Sequence, residues 1–208
     1  MSSKAILTFA DGKYREMQRL TLPRLREYAR AHGYDLRVGD GHNPEGRPPS
    51  WSKVWMLRRC LVEYEACLWM DADVLVLDLS RDLADEVPAG AVQAVSIHPN
   101  PVAGEHPNCG VWYARRAALP FLKLVWQLEV FADHNWWEQA AVHTLLGYTG
   151  TDNCRPRHVR RTRWWKRTHF LGPEWNSHPL GMVPRPRFLH AAHAFPLPRR
   201  QEMVRAYL

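Results

Sequence analysis

The sequence predicts an α/β fold in which helices cover a mostly parallel central sheet, and three observations carry that expectation. Apolar runs of strand length alternate with stretches of helical period over residues 4–65, an order that builds parallel sheets. An apolar run at residues 67–70 stops abruptly at Asp71-Ala72-Asp73 and resumes at residues 74–77, as a buried strand does when it ends in polar groups at a sheet edge. With 208 residues, 46% hydrophobic and 24% charged, the chain is long enough for one core and too apolar for disorder. A single domain spanning 1–208 follows, with residues 151–208 as a basic, Trp-rich segment packed on it.

Each element has its own justification. Residues 4–10 form a short apolar run ending at Asp11-Gly12, which reads as a buried strand and turn. Tyr14, Met17 and Leu20 then share a helical face. Thr21 and Pro23 resemble a cap and first-turn proline of a second helical piece that turns Leu22, Leu25 and Ala29 inward. Gly33 stops it, and residues 34–38 make the second strand. Residues 39–50 are rich in Gly, Pro and Asn and form a loop, after which Ser50 or Ser52 caps a helix carrying Trp51, Val54, Trp55, Arg58, Leu61, Val62 and Glu65. Residues 67–78 read as strand, acidic corner, strand. Further strands are expected at residues 93–97 and 109–114, separated by a Pro- and Asn-rich loop at residues 99–107, and helices at residues 117–131 and 136–146. Beyond Gly150 the pattern becomes irregular and rich in Arg, Trp, Pro and His.

Charge is unevenly spread. The chain carries 28 Lys+Arg against 21 Asp+Glu, but residues 151–208 hold 12 basic and 3 acidic residues, so the excess belongs to the C-terminal quarter. Its densest part contains Arg155, Arg157, Arg160, Arg161, Arg163, Lys166 and Arg167, with Trp164 and Trp165 set among them. Such a cluster suits either a polyanionic partner or a solvated loop. The four cysteines, Cys60, Cys67, Cys109 and Cys154, have no metal-type spacing and read as reduced packing residues. No apolar stretch reaches the roughly 20 residues that span a bilayer, and Asp11 interrupts the start before a signal h-region forms, so a cytoplasmic location is expected.

Asp71 and Asp73 carry the chemistry. Two carboxylates one residue apart repel, and a divalent cation bridging them to a diphosphate relieves the repulsion. Oxygen ligands of this kind suit Mg²⁺ or Mn²⁺.

Trp51-Ser52-Lys53, followed by a helix and then Leu68-Trp69-Met70-Asp71-Ala72-Asp73-Val74, resembles the nucleotide-sugar glycosyltransferases of GT-A (Rossmann-like) fold. The pattern is similar to the galactosyl- and xylosyltransferases of mannan and xyloglucan synthesis and, more distantly, to glycogenin-like retaining enzymes. Asn108-Cys109-Gly110-Val111 resembles that family's Asn-x-Gly strand beside the donor sugar, and Glu138-Gln139 stands where the family has an Asp-Gln pair. Leu171-Gly172-Pro173-Glu174-Trp175-Asn176 resembles its Leu-Pro-x-x-Trp-Asn segment. Phe188-Leu189-His190-Ala191-Ala192 resembles its final His-x-x-Gly strand, whose histidine completes the metal site. The likeness runs over residues 4–195. Two departures stand out: His193 replaces the usual Gly and competes with His190 as third ligand, and Glu138 is one methylene longer than Asp.

The resemblance implies transfer of a sugar from a nucleoside diphosphate sugar, a UDP-sugar foremost, to an acceptor hydroxyl with retention of configuration. Asp73 binds metal; Asp71 holds metal or ribose; His190 is the third ligand or a packed core histidine. Asp11 meets the nucleotide or only forms a turn, and Lys53 neutralises diphosphate or lies on the surface. Asn108 and Gly110 flank the donor. Glu138 meets the anomeric centre as nucleophile or electrostatic partner, or is only a first-turn helix carboxylate, and Gln139 hydrogen-bonds sugar hydroxyls. Trp136, Trp137, Trp175 and Asn176 are expected at the acceptor, with the tryptophans alternatively core. Arg161, Arg163, Trp164 and Trp165 extend that reading to a nucleic-acid acceptor, because rings flanked by cations grip unstacked bases and no apolar periodicity buries these two. A hydroxylated DNA base is then the expected acceptor. An anionic glycan or lipid acceptor, a nucleotidyltransferase using the same carboxylate logic, and a non-catalytic nucleic-acid-binding domain are the alternatives.

Overall fold

The computed structural model describes residues 3–39, 46–100, 104–151, 155–192 and 195–208. Ten strands and five α-helices follow in the order β1 (Lys4–Thr8), α1 (Arg15–Ala31), β2 (Asp35–Val38), α2 (Ser52–Glu63), β3 (Ala66–Met70), β4 (Val74–Val76), β5 (Gln93–Asn100), β6 (Gly104–Arg115), α3 (Leu119–Gln127), α4 (Trp137–Leu146), β7 (Tyr148–Thr149), β8 (Arg157–His158), β9 (Thr168–Leu171), β10 (Phe188–His190) and α5 (Leu197–Arg205). Six strands form the central sheet in the order β2-β1-β3-β6-β5-β9, and β6 alone runs against its neighbours. Helices cover both faces, as the alternating pattern predicts.

Side chains alternate across the sheet because successive strand residues face opposite sides. On β1, Ala5 and Leu7 join one core with Trp69 of β3, Trp112 of β6 and residues of α2, α3 and α4, whereas Ile6 joins the other with Leu68, Val111 and the α1 residues Leu25 and Tyr28. Strands buried on both faces read as continuous apolar runs, hence the strong signal from β1 and β3.

Several boundaries differ from expectation. The two helical pieces around Pro23 are one helix, α1, with Pro23 inside it, and Thr21 does not cap: its hydroxyl donates to the Ala72 carbonyl at 2.8 Å. Burial of Met17, Thr21, Leu25, Tyr28 and Ala29 along one face outweighs the roughly 3 kcal/mol that an interior proline costs. Gly33 ends α1 as expected: its φ of +69° lets Gly33 N–H reach the Arg30 carbonyl and Tyr34 N–H the Ala29 carbonyl, a Schellman closure. Neither Ser50 nor Ser52 caps α2; a 3₁₀ turn, Pro49–Trp51, leads into it and both hydroxyls are buried without partners. Val62, placed on the apolar face, is 70% exposed.

Within the expected loop at residues 99–107, residues 99–100 and 104–107 are extended, pairing β5 with β6 in a hairpin that sets His98 directly opposite His106; residues 101–103 lie outside the described residues. The C-terminal quarter is also more regular than its composition suggests. It supplies β9 to the sheet edge, β10 to the acidic corner, and α5. Cys60, Cys67 and Cys109 are free thiols; Cys154 lies outside the described residues. Among the described residues, no helix is long and apolar enough to cross a membrane.

Candidate active site

A cavity of about 580 Å³ opens at the carboxyl edge of the sheet, where β1 and β3 end, and it is lined by Asp11, Lys53, Asp71, Asp73, Asn108, Gly110, Trp136, Trp137, Glu138, Gln139 and His190 among others. Open α/β sheets bind ligands at this edge because strand ends there release the chain into loops. The turn after β3 is fixed by Asp71 N–H donating to the Gly110 carbonyl (2.8 Å) and Val74 N–H to the Asp71 carbonyl (3.0 Å). β4 then pairs antiparallel with β10, opposing Val74 to His190, and Ala191 N–H donates to the Asp73 carbonyl. This pairing brings residue 190 beside residue 73.

Ligand atoms of Asp71, Asp73 and His190 lie within 4.8 Å of one another. His190 Nε2 stands 3.4 Å from Asp73 Oδ1 and 3.9 Å from Asp71 Oδ2. A chain of hydrogen bonds sets the ring's orientation. Gly110 N–H donates to Asn108 Oδ1, which also accepts from Asn176 Nδ2, so Asn176 turns Oδ1 toward His190 Nδ1 at 2.9 Å. An amide oxygen only accepts, so Nδ1 donates to Asn176 and the ring is held with Nε2 toward the two carboxylates. Two carboxylates and an imidazole nitrogen converging in this way fit a cation. Gly110 is required here: a Cβ at this position would sit 2.2 Å from His190 Cε1. His193 lies outside the described residues.

Two buried cations answer the carboxylates. Lys53, 5% exposed, is not a surface lysine: its Nζ lies 3.1 Å from Asp71 Oδ1, 2.9 Å from Glu138 Oε1 and 3.2 Å from the Cys109 carbonyl. Burial pushes its pKa down, but Asp71 and Glu138 more than offset this and hold it above the usual lysine range. Glu138 is 3% exposed; burial raises its pKa, opposed by Lys53, and its Oε2 has no partner. It sits in the first turn of α4 directly after Trp137, whose φ of +42° is a strained conformation for a bulky side chain. Gln139 Oε1 accepts from Cys109 N–H at 3.1 Å.

The second cation, Arg200 of α5, is 2% exposed and donates to Asp73 Oδ2 at 3.1 Å, leaving Oδ1 facing His190. Sequence reasoning missed it because an Arg-Arg pair in a polar helix carries no burial signal. Trp69, whose indole N–H donates to Asp71 Oδ1 at 2.6 Å, and the histidines His98, His106 and His178 of the cavity wall were likewise not singled out.

Other expected site residues lie elsewhere. Asn176 and Trp175 are buried behind the cavity, Asn176 orienting His190 and Trp175 packing edge-on against Phe188. Trp164, read as unburied, is instead core: its ring packs against Phe121 at 5.3 Å. Trp165 stacks on His158 and meets Phe170 at a tilt, and Arg161 and Arg163 are exposed. This stretch precedes β9, whose first residue Thr168 pairs with the first residue of β5, so it sits at the sheet's amino edge and away from the cavity.

Sequence and fold comparisons agree with this geometry. Residues 11–102 match the family model of the galactosyl transferase GMA12/MNN10 family. No curated protein matches the chain. Among solved structures, a glycosyltransferase involved in the glycosylation of the major capsid of PBCV-1 superposes with a TM-score of 0.73 at 20% identity, covering 98% of both chains. The galactosyltransferase LgtC, solved with donor and acceptor sugar analogs, gives 0.58 at 14% identity over 97% of this chain and 95% of its own. GlyE of Streptococcus pneumoniae TIGR4 gives 0.61 at 15% identity over all of this chain and 60% of its own. Identities this low speak to fold alone: the chain shares the GT-A fold of these glycosyltransferases and, over residues 11–102, matches the galactosyl transferase family model.

Proposed function

We propose that the chain transfers a sugar from a nucleoside diphosphate sugar, with uridine as the base, to an acceptor hydroxyl, with the anomeric configuration retained and with Mn²⁺ or Mg²⁺ held by Asp71, Asp73 and His190. The observation that carries this reading is the convergence of two carboxylates and an imidazole whose far nitrogen is held by Asn176. When bound, the divalent ion supplies Lewis-acid stabilisation of the departing diphosphate. Asp11, at the end of β1, makes no capping bond with its side chain and is free of that local role to meet the nucleoside. Lys53 holds positive charge near the diphosphate position while fixing Asp71. Asn108, Gly110 and Gln139 border the sugar, and Glu138 offers a carboxylate oxygen to the positive charge that develops as the C1–O bond breaks. A new C1–O bond forms to the acceptor, and nucleoside diphosphate and the hydroxyl proton are released. The test is product analysis with nucleotide sugars: nucleoside diphosphate should appear, and EDTA or Asp71→Asn should abolish it. Release of pyrophosphate from a nucleoside triphosphate would establish a nucleotidyltransferase instead.

A nucleic-acid acceptor is the second reading, favoured by the exposed basic stretch of residues 155–167. Placed at the opposite sheet edge, these side chains would hold a polyanion at a distance from the reacting centre. If DNA is the acceptor, its binding must weaken steeply with salt, because each phosphate contact releases a counterion. Salt-independent turnover would remove this reading.

A further inference from the structure

We propose that the part of the cavity lined by His98, His106, His178 and Trp136 is the acceptor subsite, and that it takes an uncharged sugar ring by its hydroxyls and one apolar face. The proposal rests on the sugar-transfer reading above and assigns its acceptor. Position comes first. Asp11 follows β1 by three residues, Asp71 follows β3 directly, and His98 and His106 sit on the β5–β6 hairpin, so the cavity runs across the strand ends from β1 to β5. Those two strands are three spacings apart, about 14 Å. With the nucleotide end at β1 and the cation site in the middle, the hairpin end is left for the acceptor.

The wall's hydrogen-bonding chemistry then selects the ligand. His106 Nδ1 donates to the Gly104 carbonyl at 2.8 Å, leaving Nε2 as an acceptor. His178 Nδ1 accepts from Leu180 N–H at 3.4 Å, leaving Nε2–H as a donor. His98 is 3% exposed, its ring lies 4.3 Å from that of His178 and 5.5 Å from that of His106, and its Nδ1 is buried without a partner. A hydroxyl both donates and accepts, so it satisfies such a mixed wall; an anion needs donors only. Burial lowers His98, to about 4, and His106, so these two rings are uncharged at neutral pH.

Trp136 supplies the other half. One face of its ring stacks on His106 at 4.9 Å and 25°, and the side chain is half-buried at the cavity. A single aromatic face suits the apolar C–H face of a sugar. Among the described lining residues the lysines are Lys13 and Lys53, with no arginine; Lys53 is engaged by Asp71 and Glu138, and Lys13 follows β1 at the other end. Nothing there would meet phosphates flanking a base.

Saturation-transfer NMR on the full chain with UDP and Mn²⁺ tests this, using methyl β-galactoside, methyl β-glucoside and methyl α-mannoside as neutral probes and methyl glucuronide and hydroxymethyl-deoxycytidine monophosphate as charged ones. At least one neutral glycoside should bind, and Trp136→Ala and His98→Phe should each weaken it about tenfold while the thermal shift given by UDP and Mn²⁺ persists. Trp136→Phe, which keeps a smaller platform, should fall between. Binding of a charged probe in preference to every neutral one, absence of glycoside binding, or variants that bind as the parent does would each overturn the proposal. Loss of the UDP–Mn²⁺ shift in the parent protein would contradict the donor reading and is scored separately.

Discussion

The two edges of the central sheet carry charge in opposite ways. At the carboxyl edge, Asp71, Asp73 and Glu138 meet the buried cations Lys53 and Arg200 within hydrogen-bonding distance. At the amino edge, Arg157, Arg160, Arg161, Arg163, Lys166 and Arg167 are exposed to solvent. The ten-residue α4 joins the two regions, presenting Glu138 to the cavity at one end and, at the other, the Leu145 carbonyl to the Thr162 hydroxyl, about 10 Å along the helix. Taking a charge out of water costs several kcal/mol, so a cluster of five charges, four of them buried, persists only with close partners and marks a place where function sets the composition. Exposed charge costs the fold little and acts on whatever approaches it.

The contrast can be broken most strongly at Lys53. Lys53→Met leaves Asp71 and Glu138 without their shared cation and should cost about 3–5 kcal/mol, read as a fall in denaturant midpoint; Lys53→Met with Glu138→Leu should recover part of it. Next, Arg200→Met should destabilise by about 2–4 kcal/mol by stranding Asp73, and should also weaken Mn²⁺ binding in calorimetry because Asp73 is no longer held with Oδ1 toward His190. Arg200→Lys should restore part of both.

Acid stability gives a smaller and separable effect. His98 and the fully buried His143, whose Nε2 donates to the Pro107 carbonyl, are pushed by burial down to about 4 and about 3. Both values lie below the unfolded value near 6.5, so the unfolded chain binds more protons below that pH. Stability should therefore be full above about pH 6.5 and fall as pH drops, each imidazole removing up to about 1.4 kcal/mol per pH unit until its folded value is reached. A melting temperature flat from pH 7 to pH 5 would contradict the burial of these rings. The smallest effect belongs to the other edge: Arg161→Ser with Arg163→Ser should change stability by less than about 0.5 kcal/mol while reducing retention on an anionic resin.

How much of this was legible in the sequence depends on what each signal measures. Strands buried on both faces announce themselves as apolar runs, so β1, β3 and the Asp71-Ala72-Asp73 corner were readable, as was the alternation with helices. Periodicity failed where long-range partners decide. Trp164 stands with Trp165 in a run of Arg, Thr and Lys that gives no apolar period, and is buried by Phe121, more than forty residues away. β9 and β10 lie in polar, Pro-rich surroundings and are strands because β5 and β4 offer them open edges. The histidine wall comes from three segments, and a cluster assembled by folding has no local trace. Charge density drew attention to residues 155–167 for a simple reason: it measures exposure as readily as it measures function.

The central claim is that Asp71, Asp73 and His190 share a divalent ion with a nucleoside diphosphate. A thermal-shift titration of UDP with and without Mn²⁺, run on the parent chain and on Asp71→Asn, tests it directly, since a ligand that binds only the folded state raises its melting point. The account predicts a shift that requires both UDP and Mn²⁺ in the parent and is lost in the variant. A shift of equal size in EDTA, or one that survives in Asp71→Asn, would contradict it.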